Sequence, residues 1–265
     1  MWTLSEGALT VLKAASVEEK TALSRKVASA WQQGHISEIG KAKPPDRPER
    51  PEKPEILSPR AMPRRGIGAK AGRIALIHAL THIEFNAIDL AWDIIARFTA
   101  DELPRAFYED WVSVAAEETE HFLSLNKLMQ AEGASYGDLP AHDGLWEAAE
   151  KTKGDLLARL AVIPLTLEAR ALDTAPPTID KLNPATEQTS IAVMRQVVED
   201  EIKHVAIGVR WFEFLCQRDQ KDPATSYQTI IRPFFPKGLK GPFNHQARHQ
   251  AGMPSTYYEA LGAVD

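Results

Sequence analysis

Two copies of the pattern Glu-x-x-His, at Glu118 to His121 and at Glu201 to His204, constrain the fold of this chain more than any other feature. Residues three apart lie on one face of an α-helix. Around the second copy, that face also carries Val197, Val205 and Gly208, so it is predicted to point inward. A buried carboxylate and imidazole cost free energy unless something pairs them. A divalent metal ion would pair them.

Two further helical segments each offer one inward-facing glutamate. Glu84 lies among Ile77 and Ile88, and Glu168 lies between Leu165 and Leu172. One Glu-x-x-His is weak evidence, because so short a pattern recurs by chance. The order Glu, Glu-x-x-His, Glu, Glu-x-x-His along one chain is a duplication, and it favours a shared metal site.

The spacing of these residues predicts two helical hairpins. Glu84 and Glu118 are 34 residues apart (118 − 84), and Glu168 and Glu201 are 33 apart (201 − 168). Two antiparallel helices bring such residues level only if the turn falls near the midpoint, and turn signals occur there, at 99–104 and 180–184. Two packed hairpins would form a four-helix bundle with the acids and imidazoles in its core, the set used by ferritin-like di-iron carboxylate proteins.

The predicted ligand set contains four carboxylates and two imidazoles: Glu84, Glu118, His121, Glu168, Glu201 and His204. The two single glutamates would be terminal ligands, the two motif glutamates would bridge, and each histidine would bind one metal ion. Carboxylate oxygen with imidazole suits iron, and manganese, a mixed manganese–iron pair or zinc is the alternative. Four carboxylates would roughly neutralise two divalent ions.

The residue before each motif is a candidate partner for a metal-bound histidine. Such an imidazole usually donates its second nitrogen to an acceptor. Across an antiparallel helix pair, Asp200 would accept from His121, and Glu117 would accept from His204. The alternative for Glu117 is a solvated side chain, since it is one of three glutamates in 117–120.

Composition indicates a water-soluble protein. The net charge of −5 gives no global field that favours nucleic acid or an anionic membrane. Cys216 is the single cysteine, so no internal disulfide forms. We find neither a signal peptide nor the roughly 20 consecutive apolar residues that span a membrane. A cytoplasmic location is expected.

Three segments are predicted. Residues 1–69 would form N-terminal amphipathic helices, with a capped start at Ser16, followed by a proline-rich extended strap over 41–65. Residues 70–218 would form the bundle, with a crossover loop over 133–144. Residues 219–265 would form a loop-rich covering tail. The strap either lies over the domain or provides an anion or substrate contact through its arginines. The N-terminal helices either pack on the bundle or bind a partner.

Several local expectations accompany this plan. The third bundle helix would run from Leu145 to Leu172 and stop at 173–177, with Pro164 either kinking it or marking the junction of two helices. Other histidines are not expected to be bundle ligands. His78 and His82 point away from the metal face, His142 lies in a loop, and His245 with His249 would form either a second metal pair or part of a covering segment.

Residues 70–218 resemble the ferritin-like di-iron superfamily at all six ligand positions. The whole chain is also similar to an uncharacterised bacterial ferritin-like family, domain of unknown function 455. The residues that carry this resemblance are Arg60, 62–65, 82–84, 117–121, 167–173 and 199–204. Reductase subunits of the superfamily place a radical tyrosine four residues after the first ligand histidine. Here that position is Leu125, so the resemblance argues against stable tyrosyl-radical chemistry.

The resemblance implies an oxygen-activating di-iron oxidoreductase, a hydroxylase or an oxidase, with an unspecified small-molecule substrate and electron donor. One alternative is a tRNA-modifying hydroxylase, which the basic residues between Arg60 and Arg73 favour and the net charge of −5 disfavours. Further alternatives are an iron-handling protein and a non-catalytic, metal-stabilised scaffold. No membrane partner is expected, and a homodimer is left open.

Overall fold

The computed structural model describes residues 2–63, 69–100, 102–183 and 185–263 of this 265-residue chain. The described residues form helices and no β-strand, apart from two isolated bridges, Ile56–Ala141 and Leu239–Gly262. The predicted all-α class is confirmed. The chain forms two compact units, Met1–Glu150 and Lys151–Asp265. The predicted segments 1–69, 70–218 and 219–265 stay a prediction.

The first unit is built on a helical hairpin. Its helices are α1 (Leu4–Leu12), α2 (Val17–Gln32), α3 (Lys70–Arg97), α4 (Arg105–Ala131) and α5 (Gly144–Lys151). The short connection between α3 and α4 makes them antiparallel neighbours, as predicted; Asp101 in that turn lies outside the described residues. The predicted start of α2 is confirmed, because the Ser16 side chain accepts a hydrogen bond from the Glu19 backbone N–H.

Buried polar contacts fix α2 against this hairpin. The Ser24 hydroxyl on α2 lies 2.8 Å from the Thr119 hydroxyl on α4 and accepts a 2.8 Å hydrogen bond from the Trp92 indole on α3. Lys20 donates to the Asp89 carboxylate across 2.5 Å, and both side chains are buried. Helix α2 therefore packs on both α3 and α4.

The proline-rich strap contains no helix over its described part, residues 41–63, as predicted. Backbone hydrogen bonds join it to the crossover loop, from Leu57 N–H to the Ala141 carbonyl (2.8 Å) and from Ala141 N–H to the Glu55 carbonyl (2.9 Å). The Trp146 indole donates to the Asp46 carbonyl across 3.1 Å. The strap is therefore a fixed wall of the first unit. Its predicted basic end at Arg64 and Arg65 lies outside the described residues.

Helix α3 is the one helix within the described ranges that is long and apolar enough to cross a membrane, with a mean hydropathy of 1.2 over its most apolar window. In that window, 67% of the residues are buried inside the protein. The core helix of a soluble protein has the same character. The single apolar helix is therefore weak evidence for a membrane span.

The second unit packs a segmented helical path against one long helix. The path consists of α6 (Leu156–Val162), a π-helical segment (Ile163–Glu168) and α7 (Ala169–Ile179), and the long helix is α8 (Gln188–Arg218). Four short elements follow: α9 (Pro223–Phe234), α10 (His245–Gln250), α11 (Ser255–Tyr258) and a 3-10 turn (Glu259–Leu261). Helix α9 packs on α6 and α8, and α10 packs on α7 and α8. Pro184, in the predicted turn at 180–184, lies outside the described residues.

The prediction of one helix from Leu145 to Leu172 was wrong. Helix α5 ends at Lys151, and α6 starts after Asp155, whose side chain accepts a 2.9 Å hydrogen bond from the Ala158 N–H. Gly154 is a poor helix former, and the aspartate after it is a good N-cap. Both signals are local and visible in the sequence.

Pro164 lies between the end of α6 and the start of α7, and the predicted kink stays a prediction. It lies in the π-helical segment, where the helical path continues with a wider turn. The Ala169 N–H donates to the Pro164 carbonyl, five residues back, and the Thr166 hydroxyl donates to the Ala161 carbonyl across 2.8 Å. The ring and the missing N–H of proline are accommodated by one extra residue in the turn.

The predicted stop at 173–177 was also wrong, because α7 continues through Pro176 and Pro177 to Ile179. Pro176 has no N–H for the Leu172 carbonyl, four residues back. The Asn244 side-chain amide donates to that carbonyl instead, across 3.1 Å. A residue 72 positions away thus satisfies the backbone group that proline leaves without a donor.

The tail is less loop-rich than predicted. Helix α9 occupies twelve of its residues, and the Asp222 carboxylate caps it by accepting from the Thr225 N–H across 2.8 Å. Pro223 follows the cap, at a position where proline favours helix initiation. Pro233, which suggested a loop, lies in the last turn of the helix.

Gly208 on α8 is predicted to be required for close packing against the π-helical segment. A Cβ atom there would lie 2.6 Å from the Pro164 Cβ and 2.9 Å from the Leu165 Cδ1. Gly208→Ala should therefore destabilise the protein by about 1–3 kcal/mol, measured by urea denaturation. Gly154→Ala is the matched control, since a Cβ there meets nothing within 4 Å. Equal stability of the two variants would contradict this account.

Candidate metal centre

The first unit brings three of the predicted ligands together. Glu84 on α3 and Glu118 with His121 on α4 are 3%, 0% and 5% exposed. The His121 Nδ1 lies 3.3 Å from the Glu118 Oε2 and 3.5 Å from the Glu84 Oε2. One candidate ligand atom from each residue lies within 4.8 Å of the others. This buried Glu/His cluster could hold a metal ion.

The charge in this cluster demands a cation. Burial alone would lower the pKa of His121, but hydrogen bonds to Glu118 and Glu84, and the charges of these carboxylates, raise that pKa to about 11. Two carboxylates in a buried site are costly without a compensating positive charge. A proton on His121 provides one such charge, and a metal ion provides more.

Three aromatic rings that pack on one another include two that neighbour cluster residues in the chain. Phe85 follows Glu84 in the chain, Phe122 follows His121, and Tyr136 on the crossover loop contacts both rings. The ring centroids are 5.2 Å apart for Phe85–Phe122, 5.2 Å for Phe85–Tyr136 and 5.4 Å for Phe122–Tyr136.

The second unit repeats the local geometry of the motif. Glu201 and His204 on α8 are 5% and 1% exposed, and the His204 Nδ1 lies 3.7 Å from the Glu201 Oε1. In both units the Nδ1 atom faces the motif glutamate. Glu168 is half-buried and is the last residue of the π-helical segment, which packs against α8. The sequence analysis did not predict that Glu168 would be the last residue of a π-helical segment.

The two predicted supporting acids have different surroundings. Asp200 is 8% exposed and accepts from the Lys203 ammonium (2.7 Å) and from the Gln196 amide (3.0 Å). Glu117 is half-buried and accepts from the Ser113 hydroxyl across 3.4 Å. Their roles as acceptors for His121 and His204 stay predictions.

The other histidines mostly have polar partners of their own. The His78 Nε2 accepts from the Gly137 N–H across 3.1 Å, and the His82 Nδ1 lies 2.9 Å from the Tyr136 hydroxyl. His142 is exposed, as predicted. The His245 Nδ1 lies 3.0 Å from the Tyr258 hydroxyl.

Comparison with known proteins gives the family of this chain. Residues 13–259 match the model of a family described as "Protein of unknown function (DUF455)". The chain belongs to this family. The family resemblance predicted from the sequence is therefore confirmed.

One curated protein is similar to most of this chain. A Haemophilus influenzae protein, described as an uncharacterized protein, is 36% identical over 203 residues, which cover 75% of this chain and 70% of the relative. No solved structure matches the chain. The ferritin-like superfamily assignment stays a prediction.

Two buried ion pairs in this DUF455 chain were not predicted from its sequence. Lys20 pairs with Asp89 in the first unit, and Arg248 donates to Asp173 across 2.7 and 2.9 Å in the second. Asp89 is fully buried as well as paired. The partners are 69 and 75 residues apart, so no local pattern connects them.

Proposed function

We propose that the Glu/His cluster of the first unit and the Glu-x-x-His motif of the second unit are two half-sites that combine into one dinuclear iron centre. Its ligands would be Glu84, Glu118 and His121 from the first unit and Glu168, Glu201 and His204 from the second. The observation that carries the proposal is the buried cluster of two carboxylates and one imidazole in the first unit. The repeat of the same motif on α8 supports the second half.

The donor chemistry fits iron. Carboxylate oxygens with imidazole nitrogens suit ferrous and ferric ions, and manganese or a mixed manganese–iron pair is the alternative. The single glutamates would be terminal ligands, and the motif glutamates would bridge. Asp200 and Glu117 would accept hydrogen bonds from the outer nitrogens of the ligand histidines and fix their orientation.

We propose further that the protein is an oxygen-activating oxidoreductase, a hydroxylase or an oxidase, that acts in the cytoplasm on a small-molecule substrate. Iron, when bound, supplies reactivity toward dioxygen. The chain itself would hold the acids, orient the imidazoles and exclude water with Phe85 and Phe122. Leu125 is buried where a radical tyrosine would be required, which favours these reactions over tyrosyl-radical chemistry.

The reaction with oxygen tests this proposal. Protein loaded anaerobically with ferrous iron should develop a charge-transfer absorption band on exposure to air. The double variant Glu118→Ala, Glu201→Ala should show no such band at the same iron concentration, because both proposed bridging ligands are gone. Two irons bound without any spectral change would contradict oxygen activation and leave metal binding intact.

A further inference from the structure

A cavity of about 330 Å³ lies in the first unit between the strap and α3. The strap provides one wall, whose backbone is fixed by the hydrogen bonds of Glu55 and Leu57 to Ala141. Phe85 on α3 and Tyr136 on the crossover loop provide aromatic surface, and Ile56, which is 42% exposed, provides aliphatic surface. The volume lies at the lower end of the range for small-molecule sites.

The Tyr136 hydroxyl oxygen, on the inner wall of the cavity, is available as a hydrogen-bond acceptor. His82, on this wall, contacts both the His142 carbonyl and the Tyr136 hydroxyl. Its Nε2 lies 3.1 Å from the His142 carbonyl oxygen, which can only accept, so Nε2 carries the proton. Its Nδ1 then accepts from the Tyr136 hydroxyl across 2.9 Å. The one hydroxyl proton of Tyr136 is used, and its oxygen remains an acceptor.

The Asn86 amide does not change this assignment. Its nitrogen lies 3.1 Å from the His82 Nε2, and one of its two hydrogens is donated to the His82 carbonyl across 2.7 Å. A bare Nε2 would place two lone pairs against each other at the His142 carbonyl. The tautomer with a proton on Nε2 avoids that repulsion.

The charge that lines the cavity is negative. Arg50 also lines the cavity, but it pairs with Asp143. Arg47 pairs with both Asp143 and Glu150. The two arginine charges are therefore balanced by two carboxylates. Glu52 and Glu55 line the cavity, are exposed, and form no ion pair with any residue that the structure describes. Lys53, between them in the chain, is not part of the wall.

We propose that this cavity binds a small organic cation, a protonated amine on an apolar body. The ammonium group would donate to the Tyr136 oxygen and be attracted by Glu52 and Glu55. The apolar body would contact Phe85 and Ile56. The proposal is independent of the metal centre, because every residue it uses lies outside the proposed ligand set.

The test compares three probes of one shape and different charge. Benzylamine, benzyl alcohol and benzoate are titrated against the full-length protein, with and without added iron, by calorimetry or ligand-observed NMR. Benzylamine should bind saturably at one molecule per chain. Benzyl alcohol should bind about tenfold more weakly, as expected for the loss of attraction by two exposed carboxylates. Benzoate should bind more weakly still.

A double variant identifies the charges responsible. Glu52→Gln, Glu55→Gln should weaken benzylamine to the level of benzyl alcohol and leave benzyl alcohol unchanged. Glu18→Gln, Glu19→Gln is the matched control, since it removes the same charge from exposed positions on α2. Absence of saturable binding, a preference for benzoate, or an unaffected double variant would each overturn the proposal.

Discussion

His121→Ala is expected to abolish binding of the metal pair, with at most one ion left per chain and an affinity for it reduced more than ~100-fold. Loss of a residue that merely orients a ligand costs ~10–100-fold in metal affinity, and loss of the ligand itself should cost more. Among the described residues, His121 is the one nitrogen donor that the first unit contributes to the cluster, beside the carboxylates of Glu84 and Glu118. Metal content after dialysis against a weak chelator measures the effect.

The corresponding variant in the second unit tests whether the two half-sites form one centre. If Glu118 and Glu201 both bridge, then His204→Ala should weaken binding of both ions, as His121→Ala does. The double variant should then lose little more than either single variant, because residues that act as a unit are non-additive. Two independent mononuclear sites would instead lose one ion for each variant.

His78→Ala provides the matched control for His121→Ala. His78 is 2% exposed and also lies in the first unit, so its loss creates a comparable buried defect. It is outside the cluster, and two metal ions per chain should remain. Retention of two ions in His121→Ala, or their loss in His78→Ala, would contradict the assignment of ligands.

The long helices and the inward positions of their acids could be predicted because these properties are periodic and local. Helix α3 begins at Lys70 and α8 ends at Arg218, which are the two ends predicted for the bundle segment 70–218. The spacing of 34 residues between Glu84 and Glu118 placed them level, and they converge on one imidazole. The periodic sequence pattern therefore predicts both the helical hairpin of α3 and α4 and the cluster of ligands on it.

The helix through Pro164 and Pro176 could not be predicted by local rules. Proline breaks a helix when the carbonyl it leaves without a donor stays unsatisfied. Here a wider turn solves the problem at Pro164, and Asn244 solves it at Pro176. The second solution requires a residue far away in the chain, whose position is known only in the folded protein.

Lys20→Met is expected to destabilise the protein by about 3–5 kcal/mol at pH 8, measured by urea denaturation. The Lys20 ammonium is fully buried and contacts the Asp89 carboxylate, which is also buried. Removal of one partner leaves the other charge uncompensated in the interior, and that loss is costly. The other Asp89 oxygen, Oδ2, forms no hydrogen bond with any described residue, so Lys20 is the main source of compensation.

The destabilisation should shrink as the pH falls. Burial raises the pKa of Asp89 to about 6, although Lys20 opposes the shift, and loss of Lys20 should raise that pKa further. A carboxyl with a raised pKa in the folded state contributes stability below its unfolded pKa and loses it as the pH rises through its folded pKa. Lys20→Met should therefore differ little from the wild type at pH 5 and much more at pH 8.

A second substitution separates the cost of an unpaired charge from the value of the pair. Lys20→Met with Asp89→Leu removes both charges and fills similar volume, so it should recover more than half of the stability that Lys20→Met loses. Glu19→Gln, one residue earlier and exposed, is the control for loss of a surface charge on α2. If the double variant stays as unstable as Lys20→Met, the buried pair itself stabilises the contact between α2 and α3. In that outcome, the explanation by an unpaired Asp89 is wrong.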